Sequence, residues 1–349
     1  MKSLCNQTID AAIQQLFNNL SPDEPGCAYI ASFDDGVTYK GAIGLDSIEK
    51  KLPITTKTVF NLASVSKHFT AFSILLLEQE GKLRLDDSIL KYIPTLGGYA
   101  ESVTLRHLIH HTGGLVDYME LAEKSGISDK EKLTAEQSLE HLASHQIADF
   151  PAGTKFEYSN TGYFLLSLVV EIASGKSLRE FSKERIFGPL NMNDTTIVDI
   201  YPTNIPIARG YTKNEQGEFE IYESPWEHTG DGAVHTNVED LVKWGQNFAT
   251  GVVGGKELVK RMGEVGPKTS STGELIIDNE AYAFGLSKNK NFDSSYLEHS
   301  GLWAGYHSHF MRFLEERLTI AVLSNYEDFD NEEYAIKIAE IIFGKNATK

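Results

Sequence analysis

A serine and a lysine stand three residues apart at Ser64-Val65-Ser66-Lys67. On a helix that spacing puts both side chains on one face. With Ser64 at the helix start, its hydroxyl lies within reach of the Lys67 amine, which can take its proton. The Ser64 backbone N–H is then one of the unpaired groups of the helix N-terminus, free to bind a developing oxyanion. This is the chemistry of an activated serine nucleophile. Alone the motif is weak, since a helix-capping serine followed by a solvated lysine gives the same pattern. The context strengthens it: Val65, Phe69, Phe72 and Leu76 form a stripe, so Lys67 precedes a buried helix rather than a surface one.

Two further groups could complete such a site. Tyr158-Ser159-Asn160 precedes an apolar run from Tyr163. A tyrosine hydroxyl beside an ammonium can relay a proton to a leaving group, and an asparagine amide can hold a peptide-like carbonyl or the lysine amine. The plain alternative is a turn in which Asn160 or Thr161 caps the helix. His299-Ser300-Gly301 reads as the entry to a strand starting at Ala304. Glycine lets a ligand approach the strand edge, a hydroxyl and an imidazole line its rim, and the Leu302 amide could be a second oxyanion donor. The plain alternative is a strand-entry turn.

Other polar residues fit structural roles better. His107, His110 and His111 lack an acidic or cysteine partner at metal-ligand spacing. His307 and His309 share one face of a strand, but without a third ligand they read as strand-surface histidines. Cys5 and Cys27 form neither a disulfide framework nor a metal motif, and Cys27 sits in an apolar stretch as a small buried residue. The stretch from Tyr201 to Trp226 is rich in aromatics, and either lines a site entrance or forms a packed loop.

The elements that must position these groups follow from periodicity. Ile9, Ile13, Leu16, Phe17 and Leu20 recur at helical spacing. Cys27 to Phe33 and Val37 to Ile43 read as strands joined by the turn Asp34-Asp35-Gly36. Ala304 to Phe313 and Leu318 to Leu323 form a second hairpin pattern. Tyr334, Ile338, Ile341 and Ile342 mark a closing helix, with Gly344 at its C-cap. Between these ends lie helices over Ala63 to Glu80, Leu105 to His111 and Tyr163 to Ser174. Residues 197–290 hold short strands, loops and one helix opened by a capping box at Thr236 to Glu239. The economical α/β architecture is an antiparallel sheet built from both ends of the chain, flanked by the terminal helices, with a mostly helical region inserted. Residues 1–62 and 197–349 would make the discontinuous sheet domain, and 63–196 the helical one.

The 349 residues are enough for a substantial core, and 41% hydrophobic with 23% charged residues is ordinary for a globular chain. With 32 basic against 49 acidic side chains the formal charge is −17. Such a chain repels phosphate backbones and anionic lipid, so nucleic acid and membranes are poor partners. No basic start followed by an apolar run opens the sequence. The expected location is the cytoplasm, or the periplasm or medium if the chain starts at a mature N-terminus.

Taken together, the order and spacing of the three groups resemble the class C β-lactamase and low-molecular-weight penicillin-binding protein superfamily, with its DD-carboxypeptidases, D-aminopeptidases and esterases. Phe60-Asn61-Leu62-Ala63-Ser64-Val65-Ser66-Lys67 looks like the nucleophile segment, and Leu85-Asp86-Asp87 through Tyr92-Ile93-Pro94 like the stretch after it. Leu105-Arg106-His107-Leu108-Ile109-His110-His111-Thr112-Gly113-Gly114-Leu115, Phe187-Gly188-Pro189-Leu190-Asn191-Met192 and Gly230-Asp231-Gly232-Ala233 are also similar. The resemblance covers roughly residues 25 to 325 and implies a β-lactamase/transpeptidase-like fold without cofactor or metal. It implies that Ser64 is acylated, that Lys67 and Tyr158 handle protons, that Asn160 orients the substrate amide, and that the Ser64 and Leu302 amides form the oxyanion hole. Which of Lys67 and Tyr158 is the acylation base stays open. At His299 the sequence departs from the Lys-Thr-Gly triplet usual in efficient β-lactamases and is more similar to DD-peptidase and D-aminopeptidase relatives. The resemblance thus implies a D-amino-acid-type peptidase or an esterase acting on a small-molecule or short-peptide substrate, with a class C β-lactamase and a penicillin sensor that stays acylated as alternatives. Histidine is half-charged near pH 6.5, so if His299 binds a substrate carboxylate, affinity should fall above neutrality.

Overall fold

The computed structural model describes residues 2–199, 205–270, 275–276 and 281–344, the first five by backbone alone. Tyr201 and the Cys5 side chain, both noted above, lie outside the described residues. A six-stranded antiparallel sheet comprises β1 (Cys27–Phe33), β2 (Thr38–Ile43), β3 (Ser287–Asn291), β4 (Ser294–Trp303), β5 (Tyr306–Phe313) and β6 (Leu318–Ser324), in the order β3-β4-β5-β6-β1-β2. The two ends of the chain meet at its centre, where Cys27 pairs with Ser324 and Phe33 with Leu318. The turn after β1 is the expected one, with Gly36 at φ 98.

The helices are α1 (Lys2–Leu16), α2 (Lys67–Gln79), α3 (Leu105–Ile109), α4 (Tyr118–Lys124), α5 (Ala135–Ser144), α6 (Asn160–Ser174), α7 (Leu178–Ser182), α8 (Val238–Thr250), α9 (Gly255–Arg261) and α10 (Asn331–Phe343). One sheet face presents Tyr29, Ala31, Met311, Ile320 and Val322 to Ile13 and Phe17 at α1 and to Ala335, Ile338 and Ala339 of α10. The other presents Ala28, Ile30, Phe310, Ala321 and Leu323 to Leu62, Val65, Phe69 and Trp244. With both faces covered, β1 and β6 are buried at nearly every position, which is why they read as continuous apolar runs. A fully buried aliphatic or aromatic side chain contributes about 2 kcal/mol of transfer free energy. The neighbours from β1, α2, α8 and β5 thus fix the nucleophile segment against the sheet.

Four local expectations are corrected. The strand expected from Ala304 begins at Tyr306, because Ala304 (φ 39) and Gly305 (φ 85) form the turn between β4 and β5. His299-Ser300-Gly301 therefore lies inside β4 rather than before a strand. Pairing with β3 stops at Ser287 opposite Glu298, so residues 299–303 form an open edge whose polar residues hide the strand pattern. The nucleophile segment is not one helix over Ala63 to Glu80: a 3-10 turn at Ala63–Ser66 precedes α2. Helix α6 starts at Asn160, three residues early, because Asp117 Oδ2 rather than a local cap accepts from the Asn160 N–H at 2.8 Å. Helix α8 is capped by Asn237, whose Oδ1 accepts from the Asp240 N–H at 2.8 Å. Thr236 belongs instead to the short strand Val234–Thr236, paired with Phe60–Asn61 and Thr196–Ile197.

Candidate active site

The site begins with a strained turn. Ala63, just before the nucleophile candidate, has φ 46, a conformation that costs a non-glycine residue about 1–3 kcal/mol. Surrounding bonds hold it. Asn61 Oδ1 accepts from the Ala63 N–H at 2.8 Å, Ser66 Oγ from the Val234 N–H at 3.0 Å, and Ser308 Oγ donates to the Leu62 carbonyl at 2.6 Å. Ser64 is left half-exposed at the mouth of the turn.

One turn deeper, Lys67 is fully buried. Its Nζ lies 2.9 Å from Ser64 Oγ, 2.9 Å from Asn160 Oδ1 and 2.8 Å from the Asp231 carbonyl oxygen. Three acceptors match the three N–H groups of an ammonium. The same geometry serves a neutral amine, which donates to Asn160 and Asp231 and accepts from the Ser64 hydroxyl. The pair is thus built to pass one proton between Ser64 and Lys67 without moving a heavy atom.

Tyr158 stands above Lys67, with Nζ 4.9 Å from its ring centre. The three hydrogen bonds of Lys67 go elsewhere, so the Tyr158 hydroxyl is not bonded to it in the free site. The ring is 42% exposed and leans on His111 with centroids 4.4 Å apart. His111 is fixed from behind, its Nδ1 accepting from the Ser159 N–H at 3.0 Å. Burial, and then the nearby Lys67, keeps its pKa far below the usual histidine range.

The opposite wall is the open edge of β4. Gly301 packs directly on the nucleophile turn. A Cβ there would stand 2.3 Å from the Leu62 oxygen, 2.6 Å from Ser308 Oγ and 2.9 Å from the Ser64 nitrogen, so no other residue fits. Leu302 is 60% exposed at the rim. His299 is buried, which overturns its expected charge. Burial, reinforced by Lys67, pushes its pKa down to about 3. Its Nδ1 is 2.5 Å from the Ser300 carbonyl oxygen, an acceptor only, and therefore carries the proton; its Nε2 accepts from the Tyr282 hydroxyl at 3.0 Å. The imidazole is neutral with both nitrogens occupied, and the argument for affinity falling above neutrality loses its basis.

A cleft of about 560 Å³ joins these walls and is lined by Ser64, Tyr158, Asn160, His299, Ser300, Gly301 and Leu302. All sequence-derived candidates thus meet in one place, with Lys67 beneath them. Sequence reasoning gave no role to Asp231 or Tyr282. Gly230-Asp231-Gly232-Ala233 drew attention, but Asp231 acts through a backbone carbonyl, which residue type cannot signal. Its buried carboxyl accepts from the Tyr118 hydroxyl at 2.7 Å and is pushed up to about 6 by burial, against the pull of Lys67. Nothing local marks Tyr282.

Of the remaining histidines, His307 and His309 line the same cleft, and His110 packs against Phe284. His107 completes a capping box with Thr104 at the start of α3. His309 is not on the surface: it is 1% exposed and lies 3.1 Å from Glu298. Among the described residues no three His, Cys, Asp or Glu side chains gather into a metal-binding group, and no helix is long and apolar enough to cross a membrane.

Comparison with known proteins bears on the family and the fold. The family model described as Beta-lactamase matches residues 9–342. Penicillin-binding protein 4* of Bacillus subtilis is 31% identical over 352 residues, covering 95% of this chain and 76% of the relative. D-aminopeptidase of Gluconobacter oxydans is 26% identical, covering 86% of this chain and 56% of the relative, so this chain spans little more than half of that protein. The octameric penicillin-binding protein homologue from Pyrococcus abyssi superposes with a TM-score of 0.83 at 27% identity, covering 97% of this chain and 78% of the other. A match over nearly the whole length, on the β-lactamase/transpeptidase-like fold, shows that the chain belongs to the β-lactamase family.

Proposed function

We propose that the chain is a serine hydrolase working through a covalent acyl-enzyme on small amide or ester substrates of the D-amino-acid type. The observation that carries this reading is the 2.9 Å contact between Lys67 Nζ and Ser64 Oγ on the floor of the cleft. Ser64 Oγ attacks the substrate carbonyl while its proton passes to a neutral Lys67 amine. The Ser64 and Leu302 amides face the oxygen that becomes negative. As the tetrahedral intermediate collapses, the C–N or C–O bond breaks and the leaving group takes a proton from Lys67, relayed by the Tyr158 hydroxyl. Water then attacks the ester carbonyl, the same groups remove its proton, and Ser64 Oγ recovers one. Asn160 has its Oδ1 on Lys67 and one Nδ2–H on Met119 Sδ at 3.4 Å, which leaves the other Nδ2–H for the substrate amide. The D-aminopeptidase relative supports an amide or peptide substrate, and the absence of lysine at position 299 favours a peptidase or esterase over an efficient β-lactamase.

The test is turnover of a panel by wild type and Ser64→Ala: p-nitrophenyl acetate and butyrate, nitrocefin, D-alanine p-nitroanilide and a D-Ala-D-Ala peptide. The expected result is turnover of the ester or the D-alanine anilide by wild type and none by Ser64→Ala. Equal activity of the two proteins on whatever is cleaved overturns the nucleophile assignment.

A further inference from the structure

The charges of the cleft bear on which acyl donors it admits. Among the described residues that line it there is no lysine or arginine side chain, while Asp231, Glu298 and Glu332 all contribute to the wall. Residues 200–204, 271–274 and 277–280, outside the described set, contain no lysine or arginine either. Lys67 lies behind Ser64, with its Nζ already held by Ser64 Oγ, Asn160 Oδ1 and the Asp231 carbonyl oxygen. Arg209, within the aromatic stretch, sits 3.1 Å from Glu223, and Lys132 sits 2.7 Å from Glu227, just after that stretch.

His299 is the one residue on β4 that could have supplied a positive charge. Its Nδ1–H is directed at the Ser300 carbonyl and its Nε2 at the Tyr282 hydroxyl. Protonating Nε2 would turn Tyr282 from donor to acceptor inside a buried cluster. At the far end of the cleft Glu298 adjoins His309 and Asn289, and Glu332, at the exposed first turn of α10, faces the same space. An apolar part of the wall is formed by Trp226 and Trp303, with ring centroids 5.3 Å apart, and by Phe156 and Met119, beside polar lining at Asn61, His228, Ser287, His307 and His309. A carboxylate entering this cleft leaves water, meets no lysine or arginine and approaches the Glu298 and Glu332 carboxylates. An uncharged amide or ester meets the apolar part of the wall and edge-strand amides.

We propose that the cleft selects acyl donors without a free carboxylate, namely amides and esters carrying an apolar acyl group, and discriminates against peptides and lactams that end in a carboxylate. This rests on the acyl-enzyme reading above and narrows its substrate class.

The experiment uses two matched pairs that differ only in that charge: acetyl-D-alanyl-D-alanine against its C-terminal amide, and benzylpenicillin against its methyl ester. Peptide cleavage is followed as kcat/KM by chromatography. Penicillin acylation is followed by intact mass, so that slow deacylation cannot hide it. In each pair the neutral member should react at least tenfold faster. The gap should narrow several-fold in 0.5 M salt and in Glu332→Lys, with the neutral member's rate as internal control for folding. Equal or faster reaction of the carboxylate member overturns the inference, as does a gap that neither salt nor Glu332→Lys changes. The failure of the acyl-enzyme reading looks different: Ser64→Ala keeps its activity, or wild type forms no adduct and cleaves no member of either pair.

Discussion

The layer formed by α1, α10 and one face of the sheet is mainly apolar, with Asn331 Nδ2 of α10 donating to the His307 and Val322 carbonyls, whereas the floor of the cleft is buried to the same degree yet filled with ionisable groups. Ile13, Ile320, Val322, Ala335 and Ile338 are 0% exposed in the first region, and so are Lys67 and His68 in the second. The two regions should therefore fail differently. The apolar layer responds to lost volume, and the cleft floor to protons.

Acid offers the largest contrast. His68, His110, His111, His228, His235 and His299 are buried, and burial lowers the pKa of each, to about 3 or 4 where a value is defined and well below the usual range for His68 and His111. A histidine with a depressed folded pKa contributes stability that is complete above its unfolded pKa of about 6.5 and is lost as pH falls toward the folded value. Each such group costs up to about 1.4 kcal/mol per pH unit, so six cost up to about 8, against a total stability of about 5–15 kcal/mol. The protein should unfold below about pH 5 in a steep, many-proton transition. Circular dichroism over pH 7 to 4 checks this, and retention of native ellipticity at pH 4 would refute the neutral histidine floor.

Two substitutions should separate the regions from opposite sides. Lys67→Met should lower the acylation rate about 1,000-fold, or about 4 kcal/mol, since Lys67 is the group touching Ser64 Oγ. Its melting temperature should hold or rise, because an apolar chain of similar volume replaces a buried amine. Ile338→Ala should reverse the pattern, costing about 3 kcal/mol in urea unfolding while leaving kcat/KM of the folded protein unchanged. If Ile338→Ala slows catalysis, or Lys67→Met unfolds the chain, the division fails.

The smallest effect has the opposite pH sign. The Asp231 carboxyl is raised to about 6 from an ordinary value of 3.8. A raised folded pKa means that its stabilising contribution is present below about pH 3.8 and lost as pH rises through about 6. Asp231→Asn escapes that loss and keeps an acceptor for Tyr118. It should exceed wild type by about 3 kcal/mol at pH 7.5 and by about 2 kcal/mol at pH 5.5. Paired urea titrations at the two pH values measure the difference, and a constant offset would contradict the assignment.

The same division explains what the sequence revealed. Strand β1 and helix α10 were legible because burial of one or both faces writes a period or a run into the residues themselves. Ser64, Lys67, Tyr158, Asn160 and the His299 triplet were legible as types at spacings that chemistry needs. The Asp231 carbonyl, the Tyr282 partner of His299 and the charge of His299 were not, because each depends on a neighbour distant in the chain or on exclusion of water. The same holds for β4, whose polar open edge follows the cleft rather than the hydrophobic core.

The pairing of Cys27 with Ser324 has a consequence in time. At about 5–20 residues per second, β1 leaves the ribosome roughly 15–60 s before its central partner β6 has been made. Only the β2 hairpin can occupy one of its edges in the interval. The other edge, apolar on both faces, stays open while most of the residues that line the cleft are being synthesised. Yield of active protein should then be governed by how well that early hairpin is shielded, and slower translation should lower it.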